Sequence, residues 1–151
     1  MINYSVVKAW DFGEIVQTYA ARDTMLYALG IGLGADPLNA AELEFVFERK
    51  LQCVPTMAAV LGAPGAWLRD PRTGADYLKL VHGEQAVRVI KPLPPAATVV
   101  AQNRVESLTD KGAGKGAIVV VLRQLREQAT GELLAECRHT LFLRGDGGFS
   151  T

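Results

Sequence analysis

The chain has 151 residues, of which 49% are hydrophobic and 21% charged, so we expect one folded globular domain rather than a disordered chain. Sixteen basic residues balance sixteen acidic ones, which excludes a global field that would attract nucleic acid or an anionic membrane. The chain has no run of about eighteen apolar residues and no signal-peptide layout, and Cys53 and Cys137 lack metal-ligand spacing. We therefore expect a cytoplasmic protein with reduced thiols and no metal.

The N-terminal third predicts one helix and one short strand. Residues 1–17 have no clear period, and their Trp-Asp-Phe-Gly turn brings two aromatic rings to the core or to a partner surface. Thr18 can cap a helix whose apolar residues recur at helical spacing until Gly30. Residues 44–48 alternate apolar and charged side chains, which favours a strand.

Two segments in the middle of the chain carry most of the structural prediction. Residues 55–61 are small or apolar all round with proline at the first turn, which predicts a buried helix. In the segment 78–95 an apolar run at 78–81 leads into His82 and Gly83, and a period-two alternation around residues 87–89 then stops at three prolines, which predicts a strand headed by His82 and Gly83. The residues alone leave two interpretations open. His82 either bonds a nearby carbonyl at a turn, or offers its imidazole, beside the open glycine backbone, to a ligand.

The C-terminal half predicts an antiparallel meander. Three strand candidates, at 99–106, 117–124 and 133–144, are separated by hairpin-turn composition at 110–116 and 129–132. A sheet with one apolar face needs a cover, and the apolar helix at 55–61 is the available element. The predicted fold class is therefore α+β, with an antiparallel sheet curled around one central helix.

Six sequence blocks, in order, resemble the N-terminal hot-dog half of 2-enoyl-CoA hydratase 2, the MaoC-like (R)-specific hydratase family. The blocks are Tyr27-Ala28-Leu29-Gly30-Ile31-Gly32, Val54-Pro55-Thr56-Met57, Leu80-Val81-His82-Gly83-Glu84-Gln85, Lys91-Pro92-Leu93-Pro94, Asp110-Lys111-Gly112-Ala113-Gly114, and Phe142-Leu143-Arg144-Gly145 with Gly147-Gly148-Phe149. The resemblance implies a hot-dog fold and the addition of water to trans-2-enoyl-CoA, giving the (R)-3-hydroxyacyl-CoA. It also implies two such folds side by side, usually in one polypeptide.

No catalytic residue is expected in this chain. The resemblance implies that the chemistry belongs to the second fold, where an Asp-x-Asn-Pro-x-His motif supplies a general acid and base. The equivalent glycine-rich segment here, residues 30–37, has only Asp36 and no histidine, and it also lacks the spacing of a dinucleotide fingerprint. His139 lies on the apolar face of a predicted strand, which favours a satisfied core histidine.

The resemblance instead implies substrate-binding residues. His82 and Gly83 match the family's His-Gly pair, which lies against the acyl-CoA. Lys111 matches the lysine that approaches the phosphorylated adenosine end of CoA. Lys111 and Lys115 on a glycine-rich tip also form a local cation patch on physical grounds, and the alternative interpretation is a solvated hairpin tip. The expected ligand is an acyl-CoA substrate, with no separate cofactor and no metal.

Other functions remain open from the residues. One alternative is a non-catalytic acyl-CoA-binding or assembly subunit that pairs with a separate catalytic hot-dog chain. A thioesterase-type hot-dog enzyme would need a carboxylate on the central helix, and residues 55–61 contain none. A β-rich carrier would bind many apolar ligands without preference for CoA.

The domain prediction is a single hot-dog domain over residues 1–151, the N-terminal and non-catalytic half of a double hot-dog hydratase. The segment 145–151 corresponds to the start of the family's inter-domain linker. The sequence does not distinguish a truncated enzyme from a natural split subunit. Because a lone sheet of this kind leaves a pairing edge exposed, we expect a homodimer or a heterodimer with a second hot-dog unit.

Overall fold

The computed structural model describes residues 2–150, which form one five-stranded sheet with short helices. No helix in this part of the chain is long and apolar enough to cross a membrane. The helices and strands, in chain order, are α1 (Tyr4–Lys8), β1 (Glu14–Tyr19), α2 (Ala21–Gly30), α3 (Ala40–Val46), a 3-10 helix (Pro55–Ala59), β2 (Leu80–Val89), β3 (Ala97–Asp110), β4 (Ala117–Glu127) and β5 (Leu133–Leu143). Three single 3-10 turns, at Trp67–Arg69, Pro71–Thr73 and Tyr77–Lys79, precede β2.

All strand pairs are antiparallel, and the order across the sheet is β1-β3-β4-β5-β2. The predicted meander of three C-terminal strands is confirmed as β3, β4 and β5, joined at the predicted turns. The strand predicted within 78–95 is confirmed as β2, which ends before the prolines because proline cannot donate to a ladder. β2 crosses over to pair with β5, and it forms one edge of the sheet.

The three C-terminal strands share one buried face of the sheet. On β5 the side chains of Ala135, Cys137, Leu141 and Leu143 are almost fully buried. The buried residues form two clusters along this inner face, one around the 3-10 helix and one around Leu68. The fold class predicted from the pattern, an antiparallel sheet around a central element, is therefore confirmed.

The predicted central helix is a one-and-a-half-turn 3-10 helix rather than a longer α-helix. Met57 and Ala58 are buried against the sheet, whereas Val60 is 52% exposed, so the expectation that the whole apolar surface of this segment is buried was wrong. A helix this short covers only part of the sheet. The rest of the inner face is covered by the N-terminal segment with α1, where Ile2 and Val7 are buried, and by the loop and turns that precede β2.

One row of the sheet holds the end of the 3-10 helix in place. Asn103, Arg123 and Cys137 lie directly opposite one another on β3, β4 and β5. Asn103 donates to the carbonyl of Gly62 (3.3 Å), Arg123 to that of Ala59 (2.7 Å), and the Cys137 thiol to that of Ala58 (3.4 Å). The last carbonyls of a helix lack partners within it, and a cation there also matches the negative end of the helix dipole.

Two predicted elements in the N-terminal third are corrected. Thr18 does not cap α2: it lies in β1, where its hydroxyl is 2.8 Å from that of Thr98 on β3, and the helix begins at Ala21. Residues 44–48 do not form a strand, because Asn39 caps α3 by accepting from the Ala41 N–H (3.2 Å) and the helix runs to Val46. Five residues were too few to distinguish the two-residue period of a strand from the period of a helix.

The aromatic turn near the N-terminus packs as predicted. The ring centroids of Trp10 and Phe12 lie 5.4 Å and 5.0 Å from that of Trp67. This contact fixes the loop before β2, and Trp67 is in turn part of the wall of the cavity described next.

Candidate functional site

A cavity of about 310 Å³ opens beside the start of β2. Its walls come from the loop and turns before β2 and from the inner face of β2 and β5, and no acidic side chain is among them. The lining residues are Gly65, Ala66, Trp67, Leu68, Tyr77, Leu80, His82, His139 and Leu141. The cavity is therefore mainly apolar and aromatic, with two imidazoles as its titratable side chains apart from Tyr77.

His82 makes the carbonyl contact of the first interpretation, and the ligand interpretation stays a prediction. Its Nε2 lies 2.9 Å from the carbonyl oxygen of Glu84, so Nε2 carries a proton and donates to that carbonyl. The same side chain lines the cavity. The local carbonyl contact thus orients the ring without removing it from the site.

Gly83 lies at a β-bulge, since the register with β5 shifts between His82 and Glu84. A Cβ atom at this position would stand 3.3 Å from the carbonyl oxygen of Thr140. The absence of a side chain therefore allows β2 to lie close to β5 at the point where His82 turns toward the cavity.

His139 is not the satisfied core histidine that its position on an apolar strand face predicted. It is half-buried, it lines the cavity, and its ring makes no hydrogen bond with any group of residues 2–150. The two imidazole centroids of His82 and His139 lie 4.3 Å apart, edge to face. Burial, followed by the charges of His82 and Arg123, lowers the pKa of His139 to about 4, so His139 is neutral at pH 7.

Lys111 does not line the cavity but lies on the hairpin tip between β3 and β4. The tip is closed by backbone hydrogen bonds from Lys111 to Gly116 (3.0 Å) and from Lys115 to Gly112 (3.0 Å). Within residues 2–150, neither lysine forms an ion pair. Both charges are therefore available for an anion.

The strand register brings the tip and the cavity to the same end of the sheet. Asp110 pairs with Ala117, Ala117 with Leu143, and Leu143 with Leu80, two residues before His82. The three residues implied by the sequence resemblance, His82, Gly83 and Lys111, thus lie at one end of the molecule although 29 positions separate the first from the last.

Asp110 fixes the tip, a role that sequence reasoning did not identify. Its carboxylate accepts hydrogen bonds from the backbone N–H groups of Gly112 (2.8 Å), Gly148 (2.7 Å) and Ser150 (2.7 Å), and from the Ser150 hydroxyl (2.8 Å). These bonds, those from Ser150 and Gly148 foremost, hold the pKa of Asp110 well below its usual range. The C-terminal segment 147–150 is therefore bound to the tip that carries Lys111.

Sequence reasoning also missed the cavity walls. Trp67 lies in the segment 62–75, whose glycines and prolines predict only a loop or a pair of turns; Tyr77 follows that segment, and Leu141 was placed only on the apolar face of a strand. An aromatic residue in a glycine- and proline-rich loop was the one available signal, because such a side chain needs an apolar surface to cover.

Comparison with known proteins identifies the family of the chain. The family model described as MFE-2 hydratase 2 N-terminal domain matches residues 17–145. The chain is 38% identical over 155 residues to the peroxisomal enoyl-CoA hydratase 2 of Arabidopsis thaliana, covering 98% of this chain and 50% of that protein. It is 37% identical over 132 residues to 3-hydroxyacyl-thioester dehydratase Y of Mycobacterium tuberculosis, covering 85% of this chain and 43% of that protein.

The fold of a solved relative is also similar. The crystal structure of a MaoC-like dehydratase from Phytophthora capsici aligns with a TM-score of 0.75 at 26% identity, over 98% of this chain and 51% of that chain. The present chain spans about half the length of the curated relatives just described. The resemblance seen in the sequence is thereby confirmed, and the chain belongs to the family of MFE-2 hydratase 2 N-terminal domains, with the hot-dog fold of MaoC-like dehydratases.

Proposed function

We propose that this chain is the acyl-CoA-binding half of an (R)-specific 2-enoyl-CoA hydratase that adds water to trans-2-enoyl-CoA. The observation that carries the proposal is the placement, in a member of this family, of an apolar cavity and a cationic tip at one end of the sheet. The cavity matches the apolar acyl group, and the tip matches the phosphates of CoA.

The chemistry of the reaction is assigned to a second hot-dog unit. Hydration needs one group to take a proton from water and another to deliver a proton to the α-carbon. In this chain the cavity lining contains two histidines but no carboxylate. Asp36 is exposed, and its carboxylate accepts from the backbone N–H of Leu38 (2.9 Å). We therefore assign no catalytic residue here, and none of the steps calls for a cofactor besides the CoA thioester itself.

The second unit belongs either to the same polypeptide or to a separate chain. The N-terminal edge strand β1 and the edge strand β2 each pair with a single neighbour in residues 2–150, which leaves backbone groups free for another sheet. We expect the purified chain to form a homodimer, or a heterodimer with a catalytic unit, and multi-angle light scattering measures this. A mass equal to one chain, with or without the catalytic unit, would count against the assembly.

The activity test follows the loss of the enoyl-thioester chromophore of a trans-2-enoyl-CoA. We expect no turnover with this chain alone and turnover when a separately produced catalytic hot-dog half is added. Turnover by the chain alone would contradict the absence of catalytic residues. If no turnover occurs with the partner but the chain still binds acyl-CoA, the hydratase assignment is wrong. The alternative function, a non-catalytic acyl-CoA-binding subunit, is then favoured.

Replacing Lys111 by alanine should weaken CoA binding. Loss of one exposed cation that contacts a phosphate is expected to raise the Kd about threefold to tenfold, and added salt should reduce the difference. Isothermal titration with CoA at low and physiological salt measures both effects. The matched control is Lys91→Ala, because Lys91 forms an ion pair with Glu132 at the opposite end of the sheet. Equal effects of the two substitutions would show that the tip has no specific role.

A further inference from the structure

His82 and His139 are polar groups in a cavity whose other walls are mostly apolar. Their rings meet edge to face, with centroids 4.3 Å apart, beside Leu80 and Leu141. The His82 ring has a partner in the carbonyl of Glu84. The His139 ring is absent from the hydrogen bonds within residues 2–150, and its nitrogens are not among the buried polar atoms without a partner, so solvent reaches them.

An unpartnered neutral imidazole makes the cavity selective. One ring nitrogen of neutral His139 carries a proton and the other a lone pair. A ligand that fills the cavity with hydrocarbon alone removes water from both nitrogens and gives nothing in return, which costs about 1–3 kcal/mol for each polar group left unpaired. A ligand that places an acceptor oxygen against the ring N–H avoids this cost for that nitrogen.

The surroundings of His139 favour an oxygen that accepts a hydrogen bond. Arg123, which contributes to the low pKa of His139, is only 4% exposed. One of its NH2 groups donates to Ala59, while its Nε has no partner. Arg123 does not line the cavity, but its positive charge acts on His139, and no acidic side chain in the lining offsets that charge. The local field therefore matches a partly or fully negative oxygen.

We propose that His139 is a specificity-determining residue that hydrogen-bonds an oxygen carried by the bound acyl group, so that the chain prefers oxygen-bearing acyl thioesters over plain hydrocarbon ones. The ligand chemistry is an acceptor oxygen, supplied either by a neutral hydroxyl or keto group or by a carboxylate. The proposal rests on the proposed function for the thioester part of the ligand. The oxygen contact rests on the geometry of the cavity.

The experiment uses small probes of matched size, so that it does not depend on CoA binding. Benzyl alcohol has a hydroxyl group where ethylbenzene has a methyl group. Benzoate tests whether the cavity binds a carboxylate. Kd values come from NMR titrations, and long-range nitrogen–proton spectra follow the ring nitrogens of His139. The proteins are the wild type, His139→Phe, His139→Gln and, as a control for an apolar wall, Leu80→Val.

We expect benzyl alcohol or benzoate to shift the ring nitrogens of His139. The affinity ratio of benzyl alcohol, or of benzoate, to ethylbenzene should fall at least about tenfold in His139→Phe, the effect of one unpaired polar group. His139→Gln should recover part of that ratio, because the amide can still donate, and Leu80→Val should leave it unchanged. If the affinity ratio falls only for benzoate, the oxygen that His139 contacts belongs to a carboxylate. If the ratio falls for benzyl alcohol, the oxygen belongs to a neutral group.

Two outcomes would overturn the proposal. The first is an affinity ratio that is the same in the wild type and in both His139 variants. The second is the absence of any shift at the His139 ring with all three probes at millimolar concentration. Titration with 3-hydroxyoctanoyl-CoA, which carries both the thioester and an oxygen on the acyl chain, separates this inference from the proposed function. Normal probe results without binding of 3-hydroxyoctanoyl-CoA would reject the thioester assignment and keep the oxygen site.

Discussion

Replacing Gly62 by alanine is expected to lower the free energy of unfolding by about 3 kcal/mol, from overpacking and a left-handed backbone together. Gly62 has a φ of +60°, and its added methyl group would overlap the side chain of Ala101 and approach Leu125 Cδ2 to 3.3 Å. Ala101 and Leu125 are fully buried on the central strands β3 and β4. The segment around Gly62 is also held in place by two hydrogen bonds. The N–H of Gly62 donates to the side chain of Gln17, and the side chain of Asn103 donates to the carbonyl of Gly62.

The matched control for this substitution is Gly65→Ala. Gly65 has nearly the same φ, +64°, but an added Cβ atom would have nothing within 4 Å. Only the cost of the left-handed backbone remains for alanine at this position, so we expect the free energy of unfolding to fall by about 1–2 kcal/mol. Urea unfolding followed by tryptophan fluorescence measures both variants. If they lose the same stability, the close approach of Gly62 to the sheet contributes nothing and the packing of the segment after the 3-10 helix is looser than described.

Replacing Asp110 by asparagine is expected to destabilise the protein at neutral pH and to weaken CoA binding at the same time. The Asp110 carboxylate accepts three N–H groups and one hydroxyl, whereas an asparagine side chain has one acceptor oxygen and presents an NH2 group to the remaining donors. The C-terminal segment should therefore leave the tip, and the tip that carries Lys111 should lose its fixed shape.

The effect of Asp110 depends on pH with a definite sign. Its folded-state pKa is depressed below the ordinary value of 3.8, so the carboxylate stabilises the folded state fully above that value, and this contribution is lost as the pH falls toward the folded-state pKa. The stability difference between the wild type and Asp110→Asn should accordingly be largest near neutral pH and should shrink below about pH 4. Urea unfolding from pH 7 to pH 3 measures it.

The control for Asp110 is Asp36→Asn. Asp36 is an exposed carboxylate that accepts one backbone N–H, from Leu38, and an asparagine can replace that contact. We expect little change in stability or in CoA binding. A stability difference between the wild type and Asp110→Asn that stays constant down to pH 3 would contradict the role of the carboxylate charge. An unchanged CoA affinity of Asp110→Asn would show that the shape of the tip does not affect CoA binding.

Much of the fold was predictable because the signals were local. The strands β3 and β5 alternate in sequence, β4 is rich in valine, and each is bounded by turn residues, so all three strands were predictable although β3 and β4 extend beyond the predicted ends. The strand β2 was readable for the same reason, with prolines at its end. Residues 44–48 were misread because five alternating residues also fit an amphipathic helix, and a capping contact from Asn39 decided the outcome.

The site was only partly predictable. His82 and Gly83 were found through the family motif, and the bond from His82 to the Glu84 carbonyl was among the interpretations of the residues themselves. His139 was misassigned, because strand alternation places a side chain on a face but does not say whether that face is packed or left open at a given point. The short 3-10 helix leaves it open beside His139.

The sequence by itself determined the antiparallel sheet, the central apolar segment and the family of this protein. These depend on periodicity, turn residues and ordered motifs, all of which lie within short stretches of chain. Only the tertiary structure decided that His139 meets His82, that Asp110 binds the segment 147–150, and that the cavity and the tip share one end of the sheet. Such contacts join residues 38 to 57 positions apart, and they follow from strand register and crossover, which no local pattern encodes.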